Sequence, residues 1–143
     1  MERTFVMLKP DAIEKHIIGE VSSRLEKSGL KIVAMKMMQL DEKMCREHYA
    51  HHVDKPFFNG LVKFMCSTHV VCMVLDGNNA VEAVRQLAGP TDSKKAPKGT
   101  IRGDFGTDVQ ANVVHASDST ESAEIEIKRF FKASEIYGKP TRS

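Results

Sequence analysis

Four short apolar segments, each separated from the next by amphipathic helical spacing, constrain this 143-residue chain more than any other feature. Phe5–Leu8 reads as a buried strand that stops at Lys9-Pro10, because proline has no N–H for a ladder. Lys31–Leu40, Thr68–Leu75 and Asn112–His115 read as three more. Between them, Ile18, Val21 and Leu25 repeat at helical spacing over Ile18–Ser28 and Gly29 closes that helix. Asp41 can cap a helix running to about His51, Phe57–Met65 continues as another, and Ala80–Leu87 ends at Gly89-Pro90. Asp76-Gly77-Asn78-Asn79 reads as a turn. Asp118 with Glu121 resembles a capping box opening a last helix with the stripe Ala123, Ile127, Phe130 and Phe131. Lys132–Ser143 reads as a polar tail. The order β-α-β-α-α-β-α-loop-β-α predicts an α/β (α+β) sandwich of ferredoxin-like type, with a four-stranded antiparallel sheet covered by helices. A doubly wound parallel sheet is the alternative. The length suits one domain over residues 1–143.

Several function classes drop out. With 21 basic and 19 acidic residues the net charge is +2, too even for specific nucleic acid or an anionic membrane as the main partner. The longest apolar run, Val70–Leu75, is far short of the ~20 residues a membrane span needs, and the first residues show no signal-peptide pattern. Cys45, Cys66 and Cys72 fit no CxxC spacing and read as reduced thiols. A cytoplasmic location is the expectation. No P-loop, kinase Gly-rich loop or GxGxxG occurs, so any nucleotide must be bound by other means. An RNA reader would carry paired aromatics on its central strands, where this chain has Val6, Leu8, Val33, Met35, Val71 and Met73.

The chemistry gathers around His115. An apolar pair, Val113-Val114, runs into the imidazole, and small polar residues then lead into a helix N-terminus, where phosphate is favoured. A lone histidine is more often a satisfied core residue than a functional one. Glu126, however, shares a helix face with Ala123 and Phe130, and an inward carboxylate needs a partner. An imidazole would serve; a flanking bridge to Lys128 or Lys132 is the plainer option. Arg85 on a helix and Arg102 in the long loop Thr91–Asp108 offer forked donors for phosphate, although a single arginine is more often solvated surface charge. Gly99 and Gly103 around Arg102 would let backbone approach a ligand. Lys9, at a strand end, can reach inward. His48 and His52 stand at i, i+4, a possible metal pair without further ligands and so better read as a structural helix end. Phe57-Phe58 is either core packing or an exposed ring for a base.

These blocks together resemble the nucleoside diphosphate kinase family from Thr4 to about Phe131. The resemblance rests on Asn112-Val113-Val114-His115-Ala116-Ser117-Asp118-Ser119, Lys9-Pro10-Asp11, Lys55-Pro56-Phe57-Phe58 and Gly99-Thr100-Ile101-Arg102-Gly103-Asp104-Phe105. It implies transfer of the terminal phosphoryl group of a nucleoside triphosphate, mainly ATP, to a nucleoside diphosphate through a phosphohistidine, with low base selectivity. His115 would be the nucleophile, oriented by Ser117 and Glu126. Lys9 and Asn112 would contact the ribose hydroxyls and the transferred phosphate, with Tyr49 supporting Lys9. Arg85, Thr91 and Arg102 would bind phosphates with His52 near them, and Phe57 would stack on the base. Mg2+ would arrive on the nucleotide, touched through water by Asp118, with no direct protein ligand. A homo-oligomer, tetramer or hexamer, is also implied. On this reading Arg102→Ala slows turnover with little change in thermal stability. The chain departs from the family pattern at Ala116, Thr68-His69 and Asp92-Ser93, and its short tail looks bacterial. The alternative function is a non-catalytic nucleotide-binding or scaffold protein on the same fold.

Overall fold

The computed structural model describes residues 1–138. Strands β1 (Glu2–Leu8), β2 (Lys31–Met38), β3 (Val70–Gly77) and β4 (Val114–Ala116) form one sheet in the order β2-β3-β1-β4. Every pairing is antiparallel. This is the ferredoxin-like α/β arrangement, and it overturns the parallel alternative. Helices α1 (Pro10–Glu14), α2 (Ile18–Lys27), α3 (Glu42–His48), α4 (Phe58–Met65), α5 (Ala80–Ala88), α6 (Ile101–Phe105) and α7 (Thr120–Phe130) make the connections.

The sheet separates two cores because side chains alternate along a strand. Val6, Leu8, Val71, Met73 and Leu75 point to one face, against Val21 and Leu25 of α2 and Val84 and Ala88 of α5. Phe5, Met7, Cys72 and Val74 point to the other, against Leu61 and Met65 of α4 and Ile127 and Phe130 of α7. All of β3 is buried, which explains its near-continuous apolar run. Met7 of β1 stands opposite His115 of β4, so His115 emerges on the face that packs under α7.

Several element limits differ from the sequence reading, each for a local reason. β1 does stop at Leu8, and Pro10 then begins the short helix α1, which the sequence reading did not anticipate, since a proline at the first helical position needs no N–H. α3 stops at His48 and a separate 3₁₀ turn covers Ala50–His52, which breaks the supposed i, i+4 pair. Asp41 does cap α3, accepting from the Met44 N–H at 2.9 Å. β2 ends at Met38, and β3 runs from Val70 to Gly77, so Asp76 and Gly77 belong to the strand. The long loop contains a 3₁₀ turn at Ser93–Lys95 and α6. The cap of α7 is Ser119, whose Oγ accepts from the Ser122 N–H at 3.0 Å, and not Asp118. The tail folds back on β2: a 3₁₀ turn spans Ala133–Glu135, the Tyr137 N–H donates to the Val33 carbonyl at 2.8 Å, and Lys36 bridges Glu135 at 2.9 Å. The rest of the expected tail, 139–143, lies outside the described residues. Among the described residues no helix is long and apolar enough to cross a membrane, and the three cysteines are free.

Candidate active site

β4 begins two residues later than its apolar pattern suggests because Val113 takes φ +64°, a left-handed conformation rare for a β-branched side chain. Two bonds hold it there. The Lys9 N–H donates to the Val113 carbonyl at 2.8 Å, and the Val113 N–H donates to Oδ2 of Asp11 at 3.0 Å. The N-terminus of α1 therefore clamps the backbone just before His115.

His115 stands beside a cleft of about 660 Å³. Every expected site residue lines that cleft except Ser117, which is buried behind it. The His115 Nε2 lies 2.8 Å from Oε2 of Glu126, and Ser117 Oγ donates to Oε1 at 2.5 Å. The inward carboxylate of α7 thus meets the imidazole, and not Lys128 or Lys132. An ionised carboxylate only accepts, so the bonded Nε2 carries the hydrogen and Nδ1 keeps the lone pair. Burial opposes the charge on Glu126, but the bonds from His115 and Ser117 and the nearby imidazoles outweigh it and lower its pKa.

Lys9 caps α1 and is 7% exposed, with Nζ donating to Asn112 Oδ1 at 2.8 Å and to the Gln110 carbonyl at 3.0 Å. Asn112 in turn donates from Nδ2 to the carbonyls of Thr91 and Val109 at 2.9 and 3.0 Å. The lysine and the asparagine are thus tied to each other, and Thr91 enters through its backbone. The expected support of Lys9 by Tyr49 is absent: the Tyr49 hydroxyl is buried with no partner among the described residues. Burial pushes Lys9 down to about 8, with the Asp11 carboxylate pulling the other way.

Arg85 on α5 is exposed on the cleft wall beside the exposed Asp118. Arg102 differs. It is 7% exposed, and its fork is spent on two carbonyls, Nη1 to Gly89 and Nη2 to Val114, both at 2.8 Å. Burial, then the charge of Arg85, lowers its pKa to about 10. Gly103 likewise serves packing, since a Cβ there would collide with the Pro97 carbonyl. Phe57-Phe58 divides between its two readings: Phe57 is 49% exposed at the cleft and Phe58 is core. His52 lies against Phe57, ring centroids 5.1 Å apart.

The sequence reading left two residues out of the site: His48, weighed only as half of a metal pair, and Arg129, not considered at all. His48 is buried with its ring edge-on to His115, and Arg129 donates to its Nδ1 at 2.9 Å. Arg129 follows Glu126 by three on α7, so helical spacing alone places the two on one face. His48, His115 and Glu126 could crowd a metal ion. Their atoms are already engaged: Glu126 by His115 and Ser117, and His48 by a guanidinium that would repel a cation.

The fold and the site, a carboxylate-held imidazole at a cleft lined with Lys9, Arg85 and Arg102, suit a protein that handles phosphorylated ligands. The family model for nucleoside diphosphate kinase matches residues 2–136. A nucleoside diphosphate kinase of Thermobifida fusca is 60% identical over 131 residues, covering 92% of this chain and 97% of that protein. One from Archaeoglobus fulgidus is 57% identical, covering 95% of this chain and 90% of that protein. Among solved structures, the nucleoside diphosphate kinase of Halobacterium salinarum in complex with CDP superposes with a TM-score of 0.93 at 48% identity, covering 98% of this chain and 93% of that one. The chain belongs to the nucleoside diphosphate kinase family, and its activity is that of a nucleoside diphosphate kinase.

Proposed function

We propose that His115 carries the phosphoryl group between nucleotides. The single observation behind this reading is the bond from Nε2 to Glu126, which leaves a lone pair on Nδ1 beside a cleft lined with Lys9 and Arg85. Nδ1 attacks the terminal phosphorus of a nucleoside triphosphate, the bond to the bridging oxygen breaks, and a diphosphate leaves. A second nucleoside diphosphate enters, a terminal oxygen attacks the phosphohistidine, and the N–P bond breaks. The bonds broken and made over the cycle are alike, so the net free energy is near zero. What remains is to stabilise transferring charge, the task of preorganised cations. Lys9 and Arg85 stand at the cleft for it, and Arg102 adds positive potential from the wall. Glu126 stabilises the imidazolium character that develops in transfer.

The nucleotide would lie with its base on Phe57, its ribose and phosphates toward Lys9 and Asn112, and its distal phosphates toward Arg85, with His52 and Thr91 alongside. A ring face distinguishes bases poorly, so selectivity should be low; the CDP held by the halophilic relative supports a nucleotide in this role. Among the described residues, Asp118 is the only carboxylate of the cleft wall besides the fully engaged Glu126. That donor set fits a hydrated Mg2+ carried by phosphate oxygens and touched through water by Asp118, and not a protein cage. When bound, the ion neutralises phosphate charge. The same reading takes residues 1–143 as one domain, the location as cytoplasmic and the assembly as a tetramer or hexamer; Met35 and Met37, exposed on edge strand β2, support an interface between copies.

The decisive experiment is a two-step transfer. Protein incubated with γ-labelled ATP and freed of nucleotide should carry label, and should pass it to added GDP as labelled GTP. Label that never leaves the protein, or GTP formed only when both nucleotides are present together, would refute the cycle. Two smaller effects are expected. Glu126→Gln should slow phosphoenzyme formation about 10²-fold while ADP affinity holds, because the amide cannot stabilise the imidazolium; rapid-quench labelling reads the rate. ADP affinity should weaken as pH rises through about 8, where Lys9 loses its proton. Calorimetric titration from pH 7 to 9.5 should show this in the wild type and not in Lys9→Met. In stability the sign is opposite. Between about 8 and the ordinary lysine value of 10.5 the unfolded chain holds the proton that folded Lys9 has lost, so Lys9 contributes rising stability with pH.

A further inference from the structure

The carboxylate oxygen that holds His115 lies near a second imidazole. His48 Nδ1 is 4.0 Å from Oε2 of Glu126, the oxygen that His115 Nε2 occupies at 2.8 Å. The two rings meet edge to face, centroids 4.7 Å apart and planes at 79°. At 4.0 Å His48 makes no hydrogen bond to that oxygen, but a shift of about 1 Å would let an Nδ1–H compete with His115 for it. Arg129 prevents this. Its Nη1 donates to His48 Nδ1 at 2.9 Å. A guanidinium only donates, so this bond requires the lone pair on Nδ1 and the hydrogen on Nε2. In that tautomer the His48 nitrogen nearest to Glu126 has no hydrogen to offer.

We propose that Arg129 is a positioning residue acting through His48: it fixes the Nε2–H tautomer of that ring and so reserves Glu126 for His115. The inference rests on His115 being the phosphoacceptor. The tautomer is the variable that matters because His48 remains neutral. Burial, then the charge of His115, pushes its pKa down to about 3; Glu126 pulls it up, and Arg129 and Lys9 add to the push. The other groups packed on the ring are Phe5 of β1, Phe130 of α7 and Tyr49, which follows it in the chain. The fixed tautomer leaves Nε2–H without a partner among the described residues, a cost that the bond from Arg129 offsets. Without Arg129 the balance reverses: an Nδ1–H could donate to Glu126, leaving only a bare acceptor at Nε2.

The test combines ¹⁵N NMR of the imidazole rings with single-turnover labelling. In the wild type, His48 should show a bare Nδ1 and a protonated Nε2. In Arg129→Met the hydrogen should move to Nδ1, and phosphoenzyme formation should slow about tenfold with ADP affinity unchanged. Adding Arg129→Met to His48→Phe should then change the rate less than about twofold, since no competing ring remains. A protonated Nδ1 in the wild type overturns the proposal, and needs no variant that folds. So does an equal loss of rate with and without His48, or a tautomer shift that leaves the rate untouched. The spectra need no turnover, so failure of the phosphohistidine reading, seen as labelling that survives His115→Ala, is distinguishable from failure of this one.

Discussion

His115→Ala should take up no label from γ-labelled ATP, and its turnover should fall by about 10⁴-fold or more, the scale on which losing a covalent nucleophile acts. The wild-type label should be acid-labile and alkali-stable, as an N–P bond requires and a serine ester would not be. The variant should remain folded, because the His115 side chain is 23% exposed and its alternatives for Glu126 survive: Ser117 Oγ still donates to Oε1. The melting temperature therefore separates chemistry from collapse. A variant that melts near the wild type without labelling identifies the acceptor; one that labels at the wild-type level moves the acceptor elsewhere and takes the role of Glu126 with it. The nearby His48 is the natural suspect in that event, but its ring is buried and its Nδ1 is bonded to Arg129, so it has no open lone pair toward a phosphate.

The elements that sequence placed well are those whose signal is periodic. The apolar runs of β1 and β3 and the stripe Ala123, Ile127 and Phe130 of α7 are read from spacing alone, because burial on one or both faces writes itself into the pattern. The same periodicity turned Glu126 inward and paired it with His115. What escaped was set by single backbone bonds. Val113 looks like a strand residue, yet Asp11 and Lys9, about a hundred positions away, hold it left-handed and delay β4. His48 and His52 sit at helical spacing, yet the helix ends between them. Gly99 and Gly103 suggested a ligand-binding loop, whereas Gly103 is small because Pro97 packs against it. A glycine reports that something comes close, not whether that thing is ligand or chain.

Arg102→Ala should cost stability as well as rate, contrary to what residue type alone suggests. A buried arginine bonded to two carbonyls closes the structure between Gly89, which follows the last residue of α5, and Val114, which begins β4. Hydrogen bonds from a charged donor are worth about 1.5–3 kcal/mol each, and their loss leaves two acceptors short of a partner. Against this stands the relief of removing a guanidinium whose buried Nε has no partner among the described residues and which Arg85 repels. The loss should exceed the relief, for a net cost of about 3 kcal/mol, or about 10 °C in melting temperature for a chain of this length. The sheet edge that carries His115 would loosen at the residue before it, so labelling should slow in the same variant. Arg102→Lys should recover little of either, since an ammonium cannot span both carbonyls as the planar fork does. Scanning calorimetry beside rapid-quench labelling decides the matter. A melting temperature within a degree of the wild type, with transfer lost, would return Arg102 to the phosphates and imply that its fork leaves both carbonyls when nucleotide binds.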